Sequence, residues 1–371
     1  MFKKLTSILI FCALLLPLAL AEGAPSPVPG LVWQDRLPLD YAEGFTIDRF
    51  EGGYRLIDIA GGETILIVPE GADIPEGHGA DIVVLEQPVD DIYLAATSAM
   101  ALFDRLGALD HIAFSSLEAS RWSIEGARTA MDAGDIVYAG KYSEPDYETL
   151  VLSHCDLAIE STMIEHAPKV REMIELLGIP VIVDRSSYES HPLGRTEWIK
   201  LYGAITGHED EAEEFFAQAE RAVKAFESRE NTGLTVAFFY VNQDGSVVVR
   251  AANDYIPRMI ELAGGKYALR DVLDPDSTRS SETISMETFY AAARDADYLI
   301  YYTSIASPLG SLDDLKRLSP LFADFKAVSE GRVYTTGTDL YQETDRVSDL
   351  IVDLGHMFSG EGDMQFLSRI E

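Results

Sequence analysis

The sequence predicts an α/β protein made of two lobes with parallel sheets, joined by a bridging α-helix. Three observations support this prediction. The chain has 371 residues, and at about 150 residues per domain this length suits two domains. Apolar runs of strand length alternate with helical patterns, which is typical of parallel sheets covered on both faces. Residues 195–228 contain no strand signal and are long enough to connect the two alternating regions.

The charge of the chain limits the classes of partner that it can bind. The sequence contains 62 acidic and 29 basic residues, which gives a formal net charge of −33 at pH 7. Nucleic acid is excluded as a partner because binding it requires Lys and Arg to displace counterions from the phosphates. An anionic membrane surface is disfavoured for the same reason. The composition indicates a soluble, exported protein.

The first 21 residues have the three parts of a signal peptide. Two lysines precede an apolar run over residues 8–16, and the small residues Ala19 and Ala21 follow it. We expect cleavage before Glu22 and export to the periplasm or the cell surface. The alternative is a membrane anchor, but a spanning helix needs about 20 apolar residues and this run is shorter.

Residues 22–80 are predicted to form a leader and an N-terminal hairpin. Pro and Gly dominate residues 22–40, which is typical of a flexible leader. Between residues 45 and 69, short strand-like segments alternate with Gly, which is typical of a hairpin.

The N-lobe is predicted to span residues 81–194. Its apolar runs of strand length lie at residues 81–85, 111–114, 135–138, 156–159 and 180–183. Helical spacing occupies residues 90–106, 124–133, 145–152 and 165–177. Strands that are apolar throughout are buried on both faces, so we expect helices on each side of a parallel sheet.

A helical linker is predicted over residues 195–232 and a C-lobe over residues 233–371. The linker ends in a helix at 210–228 that would run about 28 Å, long enough to cross from one lobe to the other. Strand-like runs of the C-lobe lie at residues 234–240, 246–250, 298–302 and 332–335. Its helical patterns lie at residues 255–263, 285–293, 312–318 and 344–358.

Sequence patterns of catalysis and of direct metal binding are absent. The seven histidines have no zinc-site spacing, and no Gly-x-Ser-x-Gly elbow or Gly-x-Gly-x-x-Gly turn occurs. Cys12 lies in the signal peptide and Cys155 is predicted to be a buried, inert thiol, so no disulfide can form. No sequence pattern therefore points to a catalytic residue or to a cofactor. An exported α/β hydrolase with a scattered site is the alternative from another class.

Aromatic and basic residues near predicted strand ends are the candidates for a binding site. In open α/β sheets, ligands bind beyond the carboxyl ends of the strands. An arginine there can bind an anionic ligand with its planar fork, although each one could equally form a surface salt bridge. The candidate ligand-binding residues are Trp122, Tyr142, Arg185, Tyr188, Tyr240, Arg250 and Tyr302.

Five segments between residues 81 and 358 resemble a known family, in the same order along the chain. They are Tyr-Ser-Glu-Pro-Asp-Tyr-Glu-Thr-Leu and the strand after it at 142–159, Leu-Leu-Gly-Ile-Pro-Val at 176–181, Ile-Glu-Leu-Ala-Gly-Gly at 260–265, Ile-Ser-Met-Glu at 284–287, and Ala-Val through Gly-Arg-Val-Tyr at 327–334. Through these five segments, the sequence resembles the substrate-binding proteins that deliver iron-siderophores, haem or cobalamin to ABC importers.

The resemblance implies two Rossmann-like lobes, a bridging helix, one ligand in the cleft and no catalysis. The expected partners are a small-molecule metal chelate and the membrane subunits of an ABC importer, and the expected state is a monomer. A ferric siderophore is the leading ligand, and cobalamin or haem is the alternative. Two features depart from the family: Cys12 lacks the context of a lipidated cysteine, and the hairpin is extra to the shortest relatives.

Two glutamates occupy matching places in the two lobes. Glu148 lies in Tyr-Glu-Thr before the strand at 156–159, and Glu287 lies in Met-Glu-Thr before the strand at 298–302. A glutamate in the first turn of a helix is also a routine preference for the helix dipole. The resemblance implies that Glu148 and Glu287 dock the protein to arginines of the two membrane subunits.

Overall fold

The computed structural model describes residues 28–227, 231–277, 279–303, 308–337 and 340–371. The signal peptide predicted for residues 1–21 lies outside this part of the chain. Three large sheets organise the described residues: an N-terminal sheet, an N-lobe sheet and a C-lobe sheet. Among the helices that the structure describes, none combines the length and the apolar character needed to cross a membrane.

The described part of the N-terminal region forms a five-stranded sheet, which corrects the prediction of a hairpin and of a leader without strands, while residues 22–27 of the predicted leader lie outside the described chain. Its strands are β1 Trp33–Arg36, β2 Phe45–Phe50, β3 Arg55–Ile59, β4 Thr64–Val68 and β5 Ile82–Glu86. The first four are antiparallel, and β5 pairs with β4 in parallel. The run at 81–85 was expected to begin the N-lobe sheet instead. Its apolar side chains predict a buried strand, but they do not specify which open edge the strand joins.

The N-lobe sheet is parallel, as predicted, in the order β12-β11-β6-β7-β8. Its strands are β6 Ile92–Leu94, β7 Ile112–Ser115, β8 Val137–Tyr138, β11 Leu157–Ser161 and β12 Val181–Asp184. A separate two-stranded ribbon is formed by β9 Gly140–Lys141 and β10 Glu144–Pro145. The helices are α1 Met100–Leu106, α2 Glu125–Ala133, α3 Tyr147–Leu152 and α4 Pro168–Leu176. The helix predicted from residue 90 is wrong at its start, because the central strand β6 has only three residues and shows no period of its own.

Three helices form the linker between the lobes. They are α5 Pro192–Glu197, α6 Ile199–Thr206 and α7 Glu209–Glu227. Gly207 ends α6 with a left-handed conformation at φ 77°, which a glycine adopts without steric cost. Trp198 and Tyr202 are fully buried, so the linker belongs to the core of the molecule.

The C-lobe contains a mixed sheet in the order β16-β14-β13-β17-β18-β19, with β15 beside β13. Its strands are β13 Thr235–Val241, β14 Val247–Arg250, β15 Lys266–Tyr267, β16 Ser281–Ile284, β17 Tyr298–Tyr301, β18 Val333–Thr336 and β19 Leu367–Arg369. Its helices are α8 Tyr255–Leu262, α9 Met286–Ala293, α10 Leu312–Leu318, α11 Lys326–Ser329 and α12 Val347–Ser359. The prediction of a parallel sheet holds for β13, β17 and β18. It fails for β14, because the short loop after β13 can only reverse the chain.

A polar contact joins the two lobes beside the linker. The side-chain oxygen of Gln342, which follows β18, accepts hydrogen bonds from the backbone N–H of Ser123 at 2.8 Å and from its hydroxyl at 2.7 Å. Arg105 of α1 forms an ion pair with the buried Asp345 at 2.7 Å. These contacts hold the N-lobe against the C-lobe segment that leads into α12.

Candidate ligand-binding cleft

A cavity of about 710 Å³ lies between the two lobes. The N-lobe lines it with residues at the carboxyl ends of β11 and β12, and the C-lobe with residues that follow β14 and β17. This is the edge at which open α/β sheets bind their ligands. The volume suits one small molecule.

The structure brings three of the predicted residues together in this cavity. Tyr188, Arg250 and Tyr302 all line it, and the side chain of Tyr188 is 63% exposed. Tyr240 lies in an adjoining small pocket that Arg250 and Tyr302 share. Its ring centroid is 6.5 Å from that of Tyr302.

The other three predicted residues lie outside the cavity. Trp122 is buried in the N-lobe core, where its indole N–H donates to the hydroxyl of Ser115 at 3.0 Å. Tyr142 packs against a second cluster of apolar side chains in the same lobe. Arg185 donates to Glu165 at 2.8 Å. Its Nε lies beside Gly62 of the N-terminal sheet, where a Cβ would be 3.5 Å away. A position after a strand therefore does not decide where the side chain points.

The charge of Arg250 is balanced within the protein. Its guanidinium donates from Nε and Nη2 to the carboxylate of Asp254, at 2.9 Å and 2.5 Å. Burial opposes the charge of Arg250, but Asp254, together with Tyr255 and Tyr302, outweighs this effect and raises the pKa of Arg250 above its ordinary value. Asp254 also caps α8 by accepting the backbone N–H of Ile256 at 3.0 Å. The pair is therefore a nearly neutral part of the wall.

Arg195 of α5 was missed by the sequence-based prediction and is the most informative residue of the cavity. Its side chain is 6% exposed, and its guanidinium carbon lies 4.0 Å from the centre of the Tyr255 ring. Its Nε has no hydrogen-bond partner among the described residues, and no ion pair joins it to a described carboxylate. Arg195 lies inside a linker helix instead of at a strand end, so its place in the sequence carries no signal of a ligand site.

The acids that line the cavity are already engaged by protein groups. Glu165 pairs with Arg185, and Asp184 accepts the hydroxyl of Tyr202 at 2.5 Å. Glu189 accepts the indole N–H of Trp198 at 2.9 Å and two backbone N–H groups. Arg279 is exposed at the rim and forms no ion pair within the described ranges. Arg195 and Arg279 are therefore the two cavity-lining arginines without an ion pair to a described carboxylate, so their N–H groups can donate to a ligand.

An unpaired carboxyl group is buried close to the cavity. Glu160 lies on β11, directly before the cavity-lining Ser161, and is fully buried with no hydrogen-bond partner for either oxygen in the described chain. Burial raises the pKa of Glu160 to about 8. Alternation along the strand places Glu160 on the face of Ala158, within the second N-lobe cluster that includes Tyr93. At neutral pH this carboxyl is therefore protonated.

The two candidate docking glutamates have similar local structures. Glu148 lies in the first turn of α3, which Asp146 caps, and Glu287 lies in the first turn of α9, which Ser285 caps. Both side chains are exposed, and neither forms an ion pair in the described ranges. Hydrogen bonds from its own backbone N–H and from Ser285 lower the pKa of Glu287. Both glutamates are thus available to a partner.

Other reactive groups lie away from the cavity. Cys155 is buried, and its burial raises the pKa of the thiol to about 11, which agrees with an inert cysteine. Across the described parts of the chain, no three His, Cys, Asp or Glu side chains come together in a way that could hold a metal ion.

Comparison with known proteins identifies the same architecture. The family model described as periplasmic binding protein matches residues 83–340. An uncharacterized lipoprotein of Methanocaldococcus jannaschii is 26% identical over 326 residues, which cover 83% of this chain and 75% of the relative. A periplasmic heme binding protein from Pseudomonas aeruginosa matches with a TM-score of 0.60 and 16% identity, over 76% of this chain and 98% of that one. A periplasmic vitamin B12 binding protein of Vibrio cholerae matches with a TM-score of 0.52 and 16% identity, over 73% of this chain and 97% of that one.

Proposed function

The chain belongs to the periplasmic binding protein family, and we propose that it is the substrate-binding component of an ABC importer for an anionic metal chelate. The leading ligand is a ferric siderophore, and haem or cobalamin is the alternative, since similar solved structures are named for those ligands. The protein would act as an exported monomer, in the periplasm or at the cell surface, and deliver its ligand to the membrane subunits without catalysis.

The unpaired guanidinium of Arg195 carries this proposal. A chain with a net charge of −33 repels anions, yet the cavity between its lobes contains two arginines that form no ion pair with a described carboxylate. Burying a charge without a partner is costly unless a ligand supplies the opposite charge. The hydroxyl groups of Ser and Thr residues around the cavity add hydrogen bonds for the oxygen atoms of such a chelate.

Titration of the protein should identify the ligand class. The probes are a ferric tricatecholate, a ferric trihydroxamate, ferric citrate, haem and cobalamin, each followed by calorimetry and by quenching of tryptophan fluorescence. We expect an anionic ferric chelate to bind most tightly. Arg195→Ala should weaken this binding by about 10- to 100-fold, the value of a charge-assisted hydrogen bond.

Arg294→Ala is the control, because Arg294 is an arginine that pairs with Asp295 and neither residue lines the cavity. Its affinity should stay within about twofold of the unchanged protein. Equal affinities for the Arg195→Ala and unchanged proteins would contradict an anionic ligand. Turnover of an ester or glycoside panel, with no binding of any chelate, would favour the hydrolase alternative.

Alanine variants of Glu148 and Glu287 should separate docking from ligand binding. Because both side chains are exposed, ligand affinity and melting temperature should hardly change. Uptake by a reconstituted transporter should fall in each variant and fall further in the double variant. High salt should reduce the difference, since it screens charges that steer association.

Glu125→Ala is the control for docking, since Glu125 is also exposed in the first turn of a helix, α2. It should leave uptake unchanged. Normal uptake by the Glu148→Ala, Glu287→Ala double variant would assign both glutamates to the helix dipole alone.

A further inference from the structure

A segment of the N-terminal sheet is bound to the cavity wall and to the linker by two buried carboxylates. This segment, residues 37–44, connects β1 to β2 and is called the strap here. The backbone N–H groups of Asp40, Tyr41 and Ala42 donate to Glu197 of α5 at 3.0, 2.8 and 2.8 Å. The backbone N–H groups of the next two residues, 43 and 44, donate to Glu189 at 3.0 Å and 2.9 Å. Five consecutive backbone donors thus bind two side chains outside the sheet.

Glu189 belongs to the strap contact and to the ligand cavity at the same time. It is 5% exposed and lines the cavity next to Tyr188. Its Oε1 accepts hydrogen bonds from the indole N–H of Trp198 at 2.9 Å and from the backbone of Gly44 at 2.9 Å. A shift of the strap therefore displaces a residue of the cavity wall.

The end of the N-terminal sheet that carries the strap is also held by the N-lobe, since Phe45 pairs with Ile59 and the β3–β4 turn lies beside the strap. Glu63, in the turn between β3 and β4, accepts the backbone N–H of Val183 at 3.3 Å and an N–H of Arg171 at 2.7 Å. Val183 lies on β12, the edge strand of the N-lobe sheet. Arg55 of β3 pairs with Glu209 at the start of α7 at 2.8 Å. The sheet thus connects the edge of the N-lobe to the linker helices.

We propose that the strap positions the cavity wall at residues 187–190 through Glu189, so that the N-terminal sheet is a part of the ligand site. The family model begins at residue 83, so β1 to β4 lie outside the segment that it matches. The ligand is the metal chelate of the proposed function. This inference rests on that proposal only where ligand affinity is measured. Glu189 is a positioning residue: its oxygens bind the strap, and the order that they impose extends to the exposed ring of Tyr188.

Gly44→Ala is the variant that tests this proposal from outside the cavity. A Cβ at this position would lie 2.8 Å from Oε1 of Glu189 and 3.0 Å from Cζ2 of Trp198, so Glu189 must move. In the ligand-free protein, we expect amide hydrogen exchange at residues 187–190 to become at least about tenfold faster. The dissociation constant of the tightest-binding ferric chelate from the titration should rise by a similar factor.

Two further variants make the test specific. Glu43→Ala removes a neighbouring exposed side chain and keeps the backbone hydrogen bond, so exchange and affinity should stay within about twofold. The double variant Gly44→Ala, Glu189→Asp should recover part of the affinity, because the shorter carboxylate leaves room for the new Cβ. A change that affected stability alone would not be rescued in this way.

Glu189→Gln gives an independent result if Gly44→Ala does not fold. Exchange should accelerate at the amides of residues 43 and 44, which Glu189 binds, and stay slow at residues 40–42, which Glu197 binds. Unchanged exchange at residues 187–190 in Gly44→Ala, or at residues 43 and 44 in Glu189→Gln, would overturn the proposal. If exchange accelerates as expected but no chelate binds the unchanged protein, the proposed function fails and the positioning of the wall stands.

Discussion

Replacing Glu197 with alanine is expected to lower the free energy of unfolding by about 3–5 kcal/mol, the usual cost of removing one partner from a buried ion pair. Glu197 is fully buried, and its Oε1 lies 2.7 Å from the ammonium group of Lys200, which is 7% exposed. Without Glu197, the ammonium group of Lys200 would keep a hydrogen bond to the carbonyl oxygen of Pro38 at 3.2 Å and a contact with the ring of Phe216. Three backbone N–H groups of the strap would lose their acceptor as well.

Denaturant unfolding of the alanine variant and the unchanged protein measures this difference directly. Glu172→Ala is the matched control, since Glu172 is an exposed glutamate on α4, and its effect should stay within about 0.5 kcal/mol. Glu197→Gln should be nearly as destabilising as alanine, because its NH₂ group would face N–H donors of the strap. A loss below about 1 kcal/mol in Glu197→Ala would contradict the view that this carboxylate holds the N-terminal sheet to the linker.

The alternation of strands and helices within each lobe could be predicted, because most of these elements have their own pattern of apolar residues and caps. The helix predicted at 312–318 matches α10, where Ser311 caps the first turn and Leu315 faces the core. Strand β6 shows the limit of this approach. It has three residues, and their pairing with β7 and β11 depends on neighbours distant in the sequence. The edge strand β16 was missed because Ser-Glu-Thr-Ile carries little apolar signal.

The sequence predicted where in the fold the binding site lies, but it predicted only some of the residues that line it. The carboxyl ends of the strands do line the cavity, because this follows from topology. The direction of a side chain depends on local partners, and for this reason Arg185 turns to Glu165 while Arg250 stays at the cavity. Arg195 belongs to the linker, and only the packing of α5 against Tyr255 brings it to the ligand site. The strap contact with Glu189 joins residues about 145 positions apart, beyond the reach of sequence patterns.

The buried carboxyl of Glu160 has a direct consequence for the pH dependence of folding. Its pKa is about 8 in the folded protein because of burial, against 4.5 in the unfolded chain. Between these values the folded state holds a proton that the unfolded state has lost, so stability falls as pH rises. The slope from this one group is up to about 1.4 kcal/mol per pH unit. The stability contribution is complete below the unfolded pKa and is lost as pH rises through the folded pKa.

Glu160→Gln is therefore expected to remove this slope, because glutamine has a similar shape and does not titrate. Denaturant unfolding of both proteins from pH 5 to pH 9 should show curves that separate steadily, with the variant gaining on the order of 4 kcal/mol relative to the unchanged protein by pH 9. Comparing the two proteins cancels the titration of all other groups that both share. Glu165→Gln, at an exposed carboxylate of the next loop, should leave the slope in place. Parallel curves for Glu160→Gln and the unchanged protein would show that the carboxyl of Glu160 ionises without cost, through water or a partner that reaches it in solution.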